Sequence, residues 1–190
     1  MNKWKIAFFT LAGGVALVCG VVLFLLFSPV EQGAKPTGEQ LTGSVVALET
    51  TAEEFEMIAR QYVGPSLAKS PLPVDFAIQD DIQLYSSFSV FSVAVPITMH
   101  FEPIVEENGN ITLEQTKMNV GNLNIPPATM LKFLNDSVEL PEFITVNAKD
   151  EQIFVDLSRI NIANGSRVRA KEIDLENDKI VLEMVVQSEE

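Results

Sequence analysis

Nucleophilic catalysis by a triad requires a histidine, and His100 is the only one in the chain. It stands between Met99 and Phe101, on the more polar face of an alternating stretch, and no G-x-S-x-G elbow is present to offer a serine. A half-exposed strand histidine is the expectation. The acidic group Asp174, Glu176, Asn177 and Asp178 has spacing close to that of a calcium loop. However, Lys179 occupies the sixth position, where glycine is needed, and the bidentate glutamate at the twelfth is missing. These residues are expected to form a solvated hairpin turn. Asp80 and Asp81 are adjacent on another turn and should point apart. With no phosphate-cradling glycine loop either, neither a cofactor nor an enzymatic activity is expected.

Arg167, Arg169 and Lys171 alternate along one stretch, so in a strand they share a face. They form either a patch for an anionic ligand or acidic partner, or cross-strand pairs with carboxylates such as Glu183. The chain as a whole is acidic, at −13. With Lys3 and Lys5 set aside, eleven basic and all 26 acidic residues remain, a net −15. Nucleic acid, which needs a basic footprint, is excluded as a partner.

A second kind of site is suggested by apolar alternation. Phe91, Val93, Val95, Ile97, Met99 and Phe101 fall on one face of a strand, with Ser92, Ala94, Pro96, Thr98 and His100 between them. They either fill a core or line a groove for a lipid or other amphiphile. Upstream, Ile82, Leu84, Phe88 and Val90 have the opposite parity, which predicts a bulge or sharp bend between Val90 and Phe91. Pro96, lacking a donor, suggests an edge position or a further irregularity.

The elements that must position these residues follow from pattern. Thr51 and Glu54 form a capping box ahead of Phe55, Ile58, Ala59 and Tyr62, one apolar helical stripe ended by Gly64 and Pro65. That stripe must lie on a sheet. Asn108-Gly109 signals a hairpin, and parity changes again between Leu113 and Met118. A shorter helix begins at Pro126-Pro127, with Met130, Leu131 and Leu134 inward. Strands follow near 143–147, 153–157, 167–173 and 180–186. The expected fold class is α+β, a long curved antiparallel sheet packed on one main and one short helix. Its helix-in-sheet pattern is similar to tubular lipid-binding (TULIP-like) domains.

All of this comes after residues 6–27, a run of 22 without a charge. As a helix it would span roughly 33 Å, enough for a hydrocarbon core of about 30 Å. Lys3 and Lys5 keep the amino terminus cytoplasmic, and the run is too long for a cleaved signal. The organisation expected is a stub and transmembrane anchor over 1–27, a flexible linker over 28–44, and an extracytoplasmic domain over 45–190. The one cysteine, Cys19, lies in the span, so no internal disulfide forms.

The segments FSVFSVAVPITMHFEPIVEENGNITLEQ, VGNLNIPPATMLKFL, LPEFITVNAKDEQIFVDL and AKEIDLENDKIVLEM, in that order after an amino-terminal span, resemble the YpmS-like family of uncharacterised membrane proteins of Gram-positive bacteria. The resemblance implies a membrane-anchored envelope protein and brings no catalytic or binding residue. Two functions are expected as alternatives. One is a non-catalytic domain binding a lipid or amphiphile; the other is a scaffold or accessory subunit for an envelope enzyme or assembly complex.

Overall fold

The computed structural model describes residues 44–90, 93–160, 162 and 166–186, together with Leu17. The chain divides into two compact units, Met1–Glu31 and Gln32–Glu190, and the strands and helices between residues 44 and 186 all belong to the second. The expected transmembrane run, 6–27, and most of the expected linker lie outside the described residues.

The first strand, β1 (Ser44–Thr50), leads into helix α1 (Ala52–Leu67). The capping box forms as expected. The Glu54 amide donates to the Thr51 hydroxyl at 3.3 Å, and the Thr51 amide to the Glu54 carboxylate at 3.5 Å. The helix does not stop at Gly64-Pro65 but continues to Leu67. Pro65 sits in the last turn, where the missing N–H forfeits one bond, and the Ala68 amide still closes onto the Gly64 carbonyl at 2.9 Å.

Beyond α1 come β2 (Val74–Ile78), β3 (Ile82–Val90), β4 (Val93–Val105) and β5 (Ile111–Val120). Next are α2 (Pro127–Ser137), β6 (Ile144–Asn147), β7 (Gln152–Val155), a 3-10 turn at Leu157–Arg159, β8 (Arg167–Asp174) and β9 (Lys179–Val186). The strands form two antiparallel sheets rather than the single sheet expected. One has the order β1-β9-β8, the other β2-β3-β4-β5-β7-β6. Strand β2, for which the sequence pattern gave no expectation, begins just past Pro71 and Pro73 and pairs with β3.

The parity change at Val90 is a chain reversal. Val90 pairs with Val93, so β3 and β4 are the two arms of a hairpin, not one bent strand. Both bulge and hairpin invert parity, and sequence does not separate them. The second parity change is a true bulge. His100 opposes Lys117 while Phe101 opposes Gln115, leaving Thr116 extra. The six-stranded sheet is curled accordingly. Pro96 lies where β4 has a partner on the β3 side only, because its pairing with β5 begins at Ile97. Met130, Leu131 and Leu134 are the buried face of α2, as expected.

The two sheets are joined at the tip of the β4–β5 hairpin. Gly109 has φ +82°, and its carbonyl accepts from the Ala170 amide of β8 at 2.7 Å. A β-carbon there would stand 2.5 Å from the Arg169 β-carbon. Gly109→Ala is therefore expected to destabilise by about 2 to 3 kcal/mol, from the disfavoured φ and the clash together. A lowered thermal unfolding midpoint for Gly109→Ala checks this.

Candidate binding cavity

The apolar stripe of α1 packs only in part: Phe55 meets the buried core, and the stripe also walls a cavity. Ala52 is the only buried residue of the helix, while Phe55, Ile58, Ala59, Tyr62, Val63 and Leu67 line a cavity of about 270 Å³. Opposite them are Phe76 and Ile78 of β2, Ile82 and Leu84 of β3, Phe101 of β4, Ile111 and Leu113 of β5, and Ile153 and Val155 of β7. The three-stranded sheet adds Leu48, Val168, Leu182 and Met184, and α2 adds Leu131, Leu134 and Asn135. Among the described residues no charged side chain lines the space, and the polar groups in the lining are the Tyr62 hydroxyl and the Asn135 amide.

Exposure distinguishes the depth of the cavity from its mouth. Phe101 and Leu131 are 1% exposed, whereas Leu48, Ile58 and Ile162 are 50%, 40% and 43% exposed. The volume approaches the roughly 300 to 1,000 Å³ of small-molecule sites.

Polar ties hold α1 in place around the cavity. At its start the Ala52 amide donates to the Asp178 carboxylate at 2.7 Å, a favourable place for negative charge at a helix N-terminus. Midway, Glu56 accepts from the Ile78 amide at 2.7 Å and from Arg60 at 2.8 Å. Arg60 also donates to Asp75 at 2.5 Å and to the Phe76 carbonyl, and its guanidinium lies 4.7 Å over the Phe76 ring. Just past the helix, the Glu139 amide donates to the Ser70 hydroxyl at 2.8 Å.

The six alternating residues proposed from sequence are distributed differently. Phe101 lines the cavity. Ile97 and Met99 are fully buried but are not part of its lining, Val95 is half-buried and Val93 is 64% exposed. Phe91 lies outside the described residues. The half of the sheet nearest the β3–β4 turn belongs to α2, whose Phe133 meets Phe88 edge-on at 5.7 Å, and Phe88 is paired with Val95. The cavity residues that sequence reasoning missed lie mainly on β2, β6, β7 and β9. The α1 stripe was the available signal.

The basic strand is internally matched. Arg169 donates to Glu183 through Nε at 2.7 Å and Nη2 at 2.6 Å, and Lys171 Nζ lies 3.6 Å from the same carboxylate. Arg167 is half-buried on the same strand. His100 Nδ1 lies 2.7 Å from Asp81, whose other oxygen accepts from Gln83 at 2.8 Å. Asp174 accepts from the backbone and side chain of Asn177 at 3.1 and 2.8 Å, which folds the β8–β9 turn. Among the described residues no group of three or more His, Cys, Asp or Glu could hold a metal ion, and no helix is long and apolar enough to cross a membrane.

The family model described as "Uncharacterized protein conserved in bacteria (DUF2140)" matches residues 2–186. The chain belongs to this family. It is 33% identical over 181 residues to "Uncharacterized protein YpmS" of Bacillus subtilis (strain 168), covering 95% of each chain. No solved structure gives a significant match. Neither description names a catalytic activity.

Hydrogen bonding from Arg169 holds the Glu183 carboxyl below its ordinary range. A depressed folded-state pKa contributes stability that is present above the unfolded value of about 4.3 and is lost as pH falls through the folded value. Glu183→Gln should therefore cost about 1 kcal/mol at neutral pH, and its denaturation midpoint should converge on that of the parent in acid. Arg60→Ala removes the cation shared by Glu56 and Asp75. Hydrogen exchange should speed up in the middle of α1 by about three- to tenfold, with β8 and β9 unchanged.

Proposed function

We propose that this protein is a non-catalytic, membrane-anchored extracytoplasmic domain that binds the hydrocarbon part of a lipid or other amphiphile in the cavity beneath α1. The observation that carries this reading is the cavity itself, about 270 Å³ bounded by apolar side chains from both helices and both sheets. Natural cores are packed to nearly crystalline density, and an open apolar space of this size supports the reading that something apolar occupies it. The helix laid across a curled antiparallel sheet supports the analogy with TULIP-like lipid-binding domains, as an analogy of fold alone. The 22-residue uncharged run and its lysine flank support attachment to the cell membrane by a single span, with the domain on the outer side. A linker of 28–44 would hold it within roughly 20 to 25 Å of the surface. Lipid chains are the most abundant apolar ligand at that distance.

A second reading is favoured by β1. Among the described residues it pairs with β9 alone, and it exposes Val45, Val46 and Leu48, with no lysine or proline in the strand to blunt the edge. Such an edge can accept a strand from another protein, as a scaffold or accessory subunit of an envelope complex would require.

Purified full chain should release a lipid or amphiphile on solvent extraction, identified by mass spectrometry at near-equal molar ratio. Protein that is empty and takes up neither phospholipid nor polyprenyl ligand would remove the first reading. Crosslinking in intact cells that gives a discrete heteromeric band would support the second.

A further inference from the structure

Resting on the lipid-binding reading, we infer that the cavity takes one hydrocarbon chain, selects it by length, and leaves the headgroup outside. The cavity follows α1 from Phe55 to Leu67, twelve residues on, or about 18 Å at about 1.5 Å per residue. One leaflet contributes about half of a hydrocarbon core of about 30 Å, so a membrane acyl chain spans about 15 Å. The length thus matches a single chain of membrane dimensions.

The chemistry of the lining makes the same division. A headgroup phosphate or carboxylate brought inside would need a cation or several donors to replace its water. Among the described residues the lining supplies only the Tyr62 hydroxyl and the Asn135 amide, and Asn135 is itself exposed. Arg60, the cation carried on α1, is not in the lining and is engaged by Glu56, Asp75 and the Phe76 carbonyl. Binding free energy therefore comes from apolar contact, which grows with each methylene until the cavity is full. Ala59, small and midway along the helix, lines the cavity between its ends, and Leu67 lines it at the end of the helix.

The test uses the delipidated full chain held in a fluorinated surfactant, whose tail does not compete with hydrocarbon. The probes are octanoyl, lauroyl, palmitoyl and arachidoyl chains, each carried as lysophosphatidylcholine, lysophosphatidylglycerol and monoacylglycerol. Affinity should rise about fourfold per added methylene, the equivalent of about 0.8 kcal/mol, and then level off at a chain of membrane length. Exchanging the headgroup at constant chain should change affinity by less than about threefold. Ala59→Phe should retain octanoyl binding and lose the gain beyond lauroyl, while Leu67→Phe should shorten the plateau more mildly; unchanged circular dichroism establishes that both fold. Affinity that follows headgroup charge, or a length profile identical in both variants and the parent, overturns the inference while leaving lipid binding intact. No uptake of any probe overturns the lipid-binding reading, and the inference with it.

Discussion

The arrangement depends on how α1 is suspended. An amphipathic helix of this kind ordinarily gains its stability by burying its stripe against a sheet. Here the contacts that position it are polar and peripheral: the Asp178 carboxylate at its first amide, and Glu56 and Arg60 reaching to Ile78, Asp75 and Phe76. With the helix fixed at its start, where Ala52 and Phe55 meet the core, and along its flank, the rest of the stripe faces the cavity. Glu56 serves two purposes at once. It satisfies the Ile78 backbone amide and orients the Arg60 guanidinium that spans to β2.

The walls opposite α1 come from two sheets, and their relation is set by a glycine. Because Gly109 has no β-carbon, the β4–β5 turn can lie directly on β8, and the backbone bond to Ala170 completes the junction. The two sheets also share a buried core, Ile78 and Ile111 of one with Val168, Ala170, Ile180 and Leu182 of the other, and the cavity is lined by residues of α1, α2 and both sheets. The bulge at Thr116 adds curvature on the other wall. The cavity is thus a product of interruptions in regular pairing rather than of a missing side chain.

The charge of the domain is arranged around this space and not within it. Arg169 and Lys171 converge on Glu183, His100 on Asp81, and Arg60 on Glu56 and Asp75, so basic groups are drawn into pairs on the outer faces. The surplus of acidic residues keeps the remaining surface strongly solvated. An apolar interior within an anionic exterior suits a ligand whose apolar part is buried and whose polar part stays in water.

Much of this was legible in the amino-acid sequence, because it follows from local rules. The capping box at Thr51 and Glu54, the buried face of α2, the Asn108-Gly109 hairpin, the bulge in β5 and the last two strands all rest on interactions between residues close in the chain. What sequence could not supply was pairing at a distance. Alternation from Phe91 to Phe101 identified an inward face but not what covers it, and α2 takes one half of that face while the cavity takes Phe101. The parity change at Val90 was ambiguous between bulge and hairpin, since both turn a strand over. Division into two sheets, the recruitment of Asp178 to the start of α1, and the gap beneath the helix were decided by tertiary structure, because each depends on residues far apart in sequence meeting at a defined distance.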